Sequence, residues 1–293
     1  MPRAVIFDVD GTLVDSVDLH AQAWKETFHH FGFEFSFDDV RQQIGKGGDT
    51  LIPSLLSPAD SARYQKALSK YRDELFRHQY LHRVRAFPAV RELFERCRAR
   101  GLKVALASSG KEKEVERYVD VTGIRGLFED RTSADDAERS KPHPDIFNAA
   151  LKSLGSPRPE DVVVIGDTPY DAEAAGKTGL RAVGVLCGGF PEAQLRAAGC
   201  IDIFQDPADL LARFDESPLA EGAPFPARVG GLQIPRILFW MAVAGGATIL
   251  AWRFLRKSSA PVTRRARTRS RQVTRSVGEE PVHNSSRRVT GVG

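Results

Sequence analysis

Ala4-Val5-Ile6-Phe7-Asp8-Val9-Asp10-Gly11-Thr12-Leu13-Val14-Asp15-Ser16 is the stretch on which the reading of this chain turns. Its four leading apolar residues, β-branched at Val5 and Ile6, predict a short buried strand whose carboxyl end delivers two aspartates and a glycine. Asp8 and Asp10 stand at i and i+2. On an extended backbone that spacing puts both carboxylates on one side, about 6–7 Å apart, where they repel unless a cation or a proton intervenes. Acids gathered at a strand end point to a metal, and an Asp-Gly turn after a strand is the ordinary alternative.

The rest of the chain weighs one against the other. Its 293 residues suffice for one or two domains with extensions, and 42% hydrophobic with 27% charged residues is an ordinary globular balance. The net charge of +4 is unevenly spread: residues 253–293 hold ten Arg and one Lys against Glu279 and Glu280, a net +9, which leaves −5 for the remainder. Cys97, Cys187 and Cys200 show neither close pairing nor metal-ligand spacing, which fits reduced thiols in a cytoplasmic setting. Met1-Pro2-Arg3 runs straight into strand residues, so no export signal is expected.

Residues 16–85 read as helical and polar, with His20, Ala23, Trp24, Thr27, Phe28 and Phe31 at helical spacing, a Gly-rich loop at 45–50 and an amphipathic stretch over 59–79. From Phe87 onward helices and strands alternate. Helices are expected from Pro88 to near Gly101 and over 111–122 (charged and on the surface), 144–154, 172–178, 192–198 and 207–214. Strands are expected over 103–110, 162–167, 182–186 and 201–204, with Phe128-Glu129-Asp130 preceding a loop. Such alternation predicts an α/β fold with a parallel sheet covered on both faces, whose ligands bind beyond the carboxyl ends of the strands. Those ends carry Asp8 and Asp10, Ser108 and Ser109, and Asp167, with Lys141 in a loop before a helix. Each also has an ordinary reading alone: the serines end a strand, Lys141 is solvated, and Asp167 and Asp171 cap a helix. His143 reads as structural.

Four motifs in this order, Asp8-Val9-Asp10-Gly11-Thr12, Ala107-Ser108-Ser109-Gly110, Lys141-Pro142-His143-Pro144 and Gly166-Asp167-Thr168-Pro169-Tyr170-Asp171, resemble those of the haloacid dehalogenase-like superfamily. The similarity, from Ala4 to about Phe214, is to the branch containing phosphoglycolate phosphatases and β-phosphoglucomutase. It implies a Rossmann-like core (1–15 and 86–215) with a helical cap (16–85) inserted after the first strand. It further implies Mg²⁺ held by a carboxylate oxygen of Asp8, the backbone carbonyl of Asp10 and the carboxylate of Asp167. Asp8 would be the nucleophile, Asp10 the proton carrier, and Ser108 and Lys141 the ligands of the phosphoryl oxygens, with Asp171 orienting Lys141 or a metal-bound water. In the cap, His20, Trp24 and Lys46 would read the leaving group of a small phosphorylated metabolite. The mutase carries a phosphate-binding arginine about where Gly48 stands here, which favours hydrolysis over a sugar phosphomutase, although Lys46 is a possible substitute. Retention of Asp10, Asp167 and Asp171 disfavours a dehalogenase. An alternative of another class is a membrane-attached module that binds a phosphorylated ligand without turnover.

Residues 216–235 read as a Pro/Gly/Ala-rich linker. Residues 237–252 form an uncharged apolar run between Arg236 and Arg253, with Trp240 and Trp252 suited to an interface, so 236–255 is expected to be a transmembrane helix; an interfacial helix is the alternative. Residues 256–293 read as a disordered basic tail with a charge that attracts anionic lipid or nucleic acid. The expected location is a cytoplasmic catalytic domain associated with a membrane through its C-terminal segment.

Overall fold

The computed structural model describes residues 2–220. In chain order these form β1 (Ala4–Phe7), β2 (Val14–Asp15), α1 (Val17–His30), α2 (Phe37–Arg41), α3 (Gly48–Leu55), α4 (Pro58–Leu75), β3 (Arg85–Ala86), α5 (Val90–Ala99), β4 (Lys103–Ala107), α6 (Glu112–Thr122), β5 (Asp130–Thr132), α7 (Asp145–Ser153), β6 (Val162–Gly166), α8 (Pro169–Lys177), β7 (Arg181–Val185), α9 (Glu192–Ala198), β8 (Cys200–Phe204) and α10 (Pro207–Ala212). Six strands pair in parallel in the order β5-β4-β1-β6-β7-β8.

The alternation along β1 builds the two faces. Val5 and Phe7 enter one apolar cluster with Leu93 and Phe94 of α5 and Val115 of α6, and Phe7 stacks on Phe94 at 4.7 Å between ring centroids. Ala4 and Ile6 enter the opposite cluster with Phe147 of α7 and Ala172 of α8. Because both faces are covered, these strands are continuous apolar runs. A third cluster joins α1 to α4: Val17, Ala21, Trp24 and Phe28 lie on one stripe of α1 against Val40, Leu51, Ile52 and Leu68. The chain passes into this helical segment through β2 and returns through β3, and the two pair antiparallel, Val14 with Ala86 and Asp15 with Arg85.

Several local expectations are corrected. The Gly-rich loop is shorter than 45–50, because α3 starts at Gly48 with Gly47 as its N-cap and Asp49 in its first turn. Asp130–Thr132 is an edge strand of three residues, too short to announce itself by alternation. Helix α8 begins at Pro169, three residues early, since Thr168 and Asp171 form a capping box at its start. Helix α6 is no mere surface helix: Glu114, Val115, Tyr118 and Val119 are buried. Leu219 and Ala220, inside the expected linker 216–235, are buried, with Leu219 in the core. Among the described residues no helix is long and apolar enough to cross a membrane; 236–255 and 256–293 lie outside them.

Ile6 is fully buried in β1, between β4 and β6. Ile6→Ala should therefore cost about 2–5 kcal/mol, read as a lower urea midpoint at unchanged m-value.

Candidate active site

The sheet order makes the site. Strands β4, β1 and β6 are adjacent, with Phe7 level with Leu106 and with Ile165, so the residues just past their ends converge: Asp8 after β1, Ser108 after β4 and Asp167 after β6. Strand order also reverses here, as β4 and β5 add on one side of β1 and β6, β7 and β8 on the other, which is where open α/β sheets leave a crevice.

Asp8 and Asp10 both line one cavity, as their spacing predicts, although β1 stops at Phe7 and the chain turns through Gly11 at φ +76°. Each aspartate meets its own partners. Asp8 Oδ1 accepts from Lys141 Nζ at 2.5 Å, and the Thr12 hydroxyl lies 3.1 Å from both Asp8 Oδ2 and Asp167 Oδ1. Asp10 Oδ1 accepts from Ser16 Oγ at 2.7 Å and from His20 Nε2 at 2.8 Å, and Asp10 Oδ2 accepts from Ser108 Oγ at 3.2 Å. These surroundings push the two carboxyls apart. Burial, with Asp171 and Asp10 nearby, raises Asp8 to about 7 despite Lys141; around Asp10 the burial effect is outweighed by His20, Ser16 and Arg72, which bring it down to about 2.

Lys141 is 1% exposed, donates to the Ala107 carbonyl at 3.0 Å and pairs with Asp171 Oδ1 at 2.7 Å. Asp171 and Asp8 hold its ammonium charged against the penalty of burial. The other Asp171 oxygen accepts from the Thr168 amide and hydroxyl, so Asp171 both caps α8 and faces Lys141. Asp167 is fully buried, its Oδ2 has no hydrogen-bond partner, and burial together with Asp8 and Asp171 raises it well above the usual carboxylate range. Two glycines allow this: a Cβ on Gly11 would fall 2.2 Å from Asp167 Oδ2 and one on Gly188 at 1.7 Å.

A cation fits these residues. Asp8, Asp167 and Asp171 present oxygens all within 4.8 Å of one another. The ion pairs these three make among the described residues are with Lys141 alone, which leaves a local charge of about −2 in a buried place. All-oxygen, carboxylate donors with one oxygen lacking a partner suit a hard divalent ion. The Asp10 carboxylate is not in this group; its oxygens are taken by His20, Ser16 and Ser108.

His20, Trp24 and Lys46 line the same cavity as Asp8, Asp10 and Gly110. Lys46 Nζ is held by Gln43 Oε1 at 2.6 Å and Ser54 Oγ at 2.9 Å, and burial lowers its pKa. Sequence reasoning missed Arg72 and Glu114. Arg72, from α4, is buried in the same cavity; it pairs with Glu114 Oε1 at 3.0 Å and donates to His20 Nδ1. Arginine has no acceptor, so His20 Nδ1 must be the unprotonated nitrogen and Nε2–H the donor to Asp10. Both residues stand in charged helical stretches, and no local signal separates them from solvated neighbours. The helical segment also touches the loops at the sheet edge: Arg41 Nη2 donates to the Gly188 carbonyl at 3.1 Å, Thr50 Oγ1 to the Lys141 carbonyl at 3.0 Å, and the Ser140 amide to Asp49 Oδ2 at 2.9 Å.

A family model described as haloacid dehalogenase-like hydrolase matches residues 5–185. The chain is 34% identical over 200 residues to Protein SUPPRESSOR OF QUENCHING 1, chloroplastic, of Arabidopsis thaliana; the match takes in 67% of this chain and spans only 19% of that protein's length. It is 29% identical over 191 residues to a phosphoglycolate phosphatase of Aquifex aeolicus, covering 64% of this chain and 85% of that one. The crystal structure of a hydrolase from Pseudomonas syringae superposes with a TM-score of 0.68 at 31% identity, covering 74% of this chain and 99% of the other. With these matches and the carboxylate-lysine site at the end of its parallel sheet, the chain belongs to the haloacid dehalogenase-like hydrolases.

Proposed function

We propose that the chain is a Mg²⁺-dependent phosphatase that hydrolyses a small phosphorylated metabolite by passing the phosphoryl group through Asp8. The observation that carries this reading is the pair of aspartates two residues apart with opposed environments: Asp8 against Lys141 and Asp167, Asp10 against His20 and Ser16. The Aquifex relative, named a phosphoglycolate phosphatase, supports the choice of phosphate ester over halide.

Asp8 and Asp167, with the Asp10 carbonyl, would hold Mg²⁺, which neutralises charge between a carboxylate and a phosphate dianion when bound. An Asp8 oxygen attacks phosphorus, the bond from phosphorus to the ester oxygen breaks, and Asp10 delivers a proton to the departing oxygen. Asp10 gains that proton as the anionic ester comes alongside, since a like charge disfavours the carboxylate. Water then attacks phosphorus, gives a proton back to Asp10, and releases inorganic phosphate while Asp8 is restored. Lys141 and Ser108 stabilise the equatorial oxygens, and Asp171 keeps the ammonium aimed. His20 aligns the Asp10 carboxylate through its Nε2–H.

Helices α1 to α4 serve as a cap over the site, excluding water and contacting the leaving group through His20, Trp24 and Lys46. The mutase alternative loses ground because Gly48 offers no phosphate-binding side chain, and a Cβ there would be tight against Ser69 Oγ at 3.2 Å and the Trp24 ring at 3.3 Å.

An aryl phosphate assay of the full chain should show turnover that disappears with a chelator and returns with Mg²⁺, and Asp8→Asn should lower it by at least ~10³-fold. Undiminished turnover in that variant removes Asp8 from the reaction. The raised carboxyls add a pH signature. In the folded, metal-free chain Asp8 keeps its proton from 3.8, where the unfolded chain releases it, up to about 7, and Asp167 shifts in the same direction, so these two make stability fall as pH rises through that window. Mg²⁺ competes with those protons, so it should raise the melting temperature more at about pH 7.5 than at about pH 5. Equal shifts at the two pH values would contradict a carboxylate site.

A further inference from the structure

We propose that Asp49 and Thr50, in the first turn of α3, are positioning residues for Lys141. Docked on the loop that carries Lys141, they hold its ammonium where the phosphoryl oxygens bind, so handling of the phosphoryl group depends on them whatever the leaving group. This rests on the phosphatase reading above and extends its machinery into the helical segment.

The backbone around Lys141 carries the argument. The Ser140 amide donates to Asp49 Oδ2 at 2.9 Å, and the Lys141 carbonyl accepts from Thr50 Oγ1 at 3.0 Å. Two consecutive residues of α3 thus grip two consecutive residues of the loop, one by accepting and one by donating, which fixes the loop's direction as well as its place. Next to this grip, the His143 amide donates to the Ser140 carbonyl at 3.0 Å and Lys177 Nζ to the Pro142 carbonyl at 2.6 Å. The approach is close: a Cβ on Gly47, which precedes α3, would fall 2.0 Å from Ser140 Oγ. The Thr50 hydroxyl also lies 3.2 Å from the Gly47 carbonyl, so it ties the first turn of α3 to the loop beneath it.

At the other end of the side chain, Lys141 Nζ lies 2.5 Å from Asp8 Oδ1, 2.7 Å from Asp171 Oδ1 and 3.0 Å from the Ala107 carbonyl. A phosphoryl group arriving at Asp8 competes for the same ammonium, so these contacts rearrange when the lysine is needed. The main-chain anchors from Asp49 and Thr50 stay. A displacement of about 1 Å at a reacting centre can cost ~10²-fold in rate, which gives such anchors their value. Neighbouring bonds follow the same pattern. The Ser109 hydroxyl, beside Ser108, donates to the Gly45 carbonyl at 3.3 Å, and the Tyr170 hydroxyl, beside Asp171, donates to the Gln42 carbonyl at 2.5 Å. Residues 42–50 therefore rest on the loops that carry Ser108, Lys141 and Asp171.

Inorganic phosphate, which has no leaving group, separates this role from substrate reading. With the full chain and Mg²⁺, Thr50→Val and Asp49→Ala should each lower kcat/KM by ~10-fold or more, by the same factor for an aryl phosphate and for ethyl phosphate. Each should also raise the inhibition constant of inorganic phosphate by ~5-fold or more, a quantity that does not depend on how much of the protein is folded. Asp49→Asn keeps an oxygen for the Ser140 amide and should restore most of both. Gly47→Ala, at a backbone φ of −77° that suits alanine, should act as a wedge under α3 and give the signature of Thr50→Val. Losses that differ between the two esters while phosphate inhibition stays unchanged would assign the pair to the leaving group and overturn the inference. Variants that match the unaltered chain, or an Asp49→Asn no better than Asp49→Ala, overturn it too, and the phosphatase reading stands in each case. If the unaltered chain hydrolyses neither ester, that reading itself falls, and this inference with it.

Discussion

One buried ammonium governs the site. Lys141, 1% exposed, is the cation set against Asp8, Asp167 and Asp171, and it reaches them from the loop between β5 and α7. Removing a carboxylate from water costs several kcal/mol, in order of magnitude, unless opposite charge and hydrogen bonds replace the water, so three buried acids with one base are stable only if something else shares the load. Part of the relief comes from Thr12 and Thr168, whose hydroxyls meet Asp8, Asp167 and Asp171. Part comes from protons, which is why Asp8 and Asp167 are raised. The remaining deficit is what a divalent ion would cancel. Stability of this edge of the sheet and readiness for phosphate are thus the same electrostatic fact.

Much of this was legible from the chain alone because it is local. The run Ala4 to Phe7 is apolar on both faces, as a central parallel strand must be, and the run Val162 to Ile165 likewise; the acid or hydroxyl that follows each is then placed by the sheet rule. The structure brings Asp8, Asp10, Ser108, Lys141, Asp167 and Asp171 together at one edge, and His20, Trp24 and Lys46 to the cavity beside it. What stayed hidden depends on packing between distant segments. Arg72 and Glu114 are 42 residues apart, each in a charged helix, and their burial exists only because α4 and α6 meet above the site. Strands β2 and β3 were illegible for a related reason: two residues each, they are strands only by virtue of pairing with each other. Gly-rich residues 45–50 hid the start of α3, where glycine serves as the cap.

The two aspartates show how spacing brings residues to one cavity while their neighbours set each one's surroundings. An extended backbone sets Asp8 and Asp10 on one side, where mutual repulsion calls for a cation or a proton. In the fold the chain leaves β1 after Phe7 and Gly11 turns it; both carboxylates line one cavity, and Asp10 is among the charges that raise Asp8. Asp8 then faces the acids and Lys141, whereas Asp10 faces His20 and Ser16, beyond the turn where the chain enters the helical segment. The need for a cation is strengthened by the trio Asp8, Asp167 and Asp171. Asp10 stands outside that trio, and its oxygens accept from His20, Ser16 and Ser108. Two residues of identical chemistry thereby acquire opposite tendencies from their neighbours, one carboxyl raised to about 7 and the other lowered to about 2.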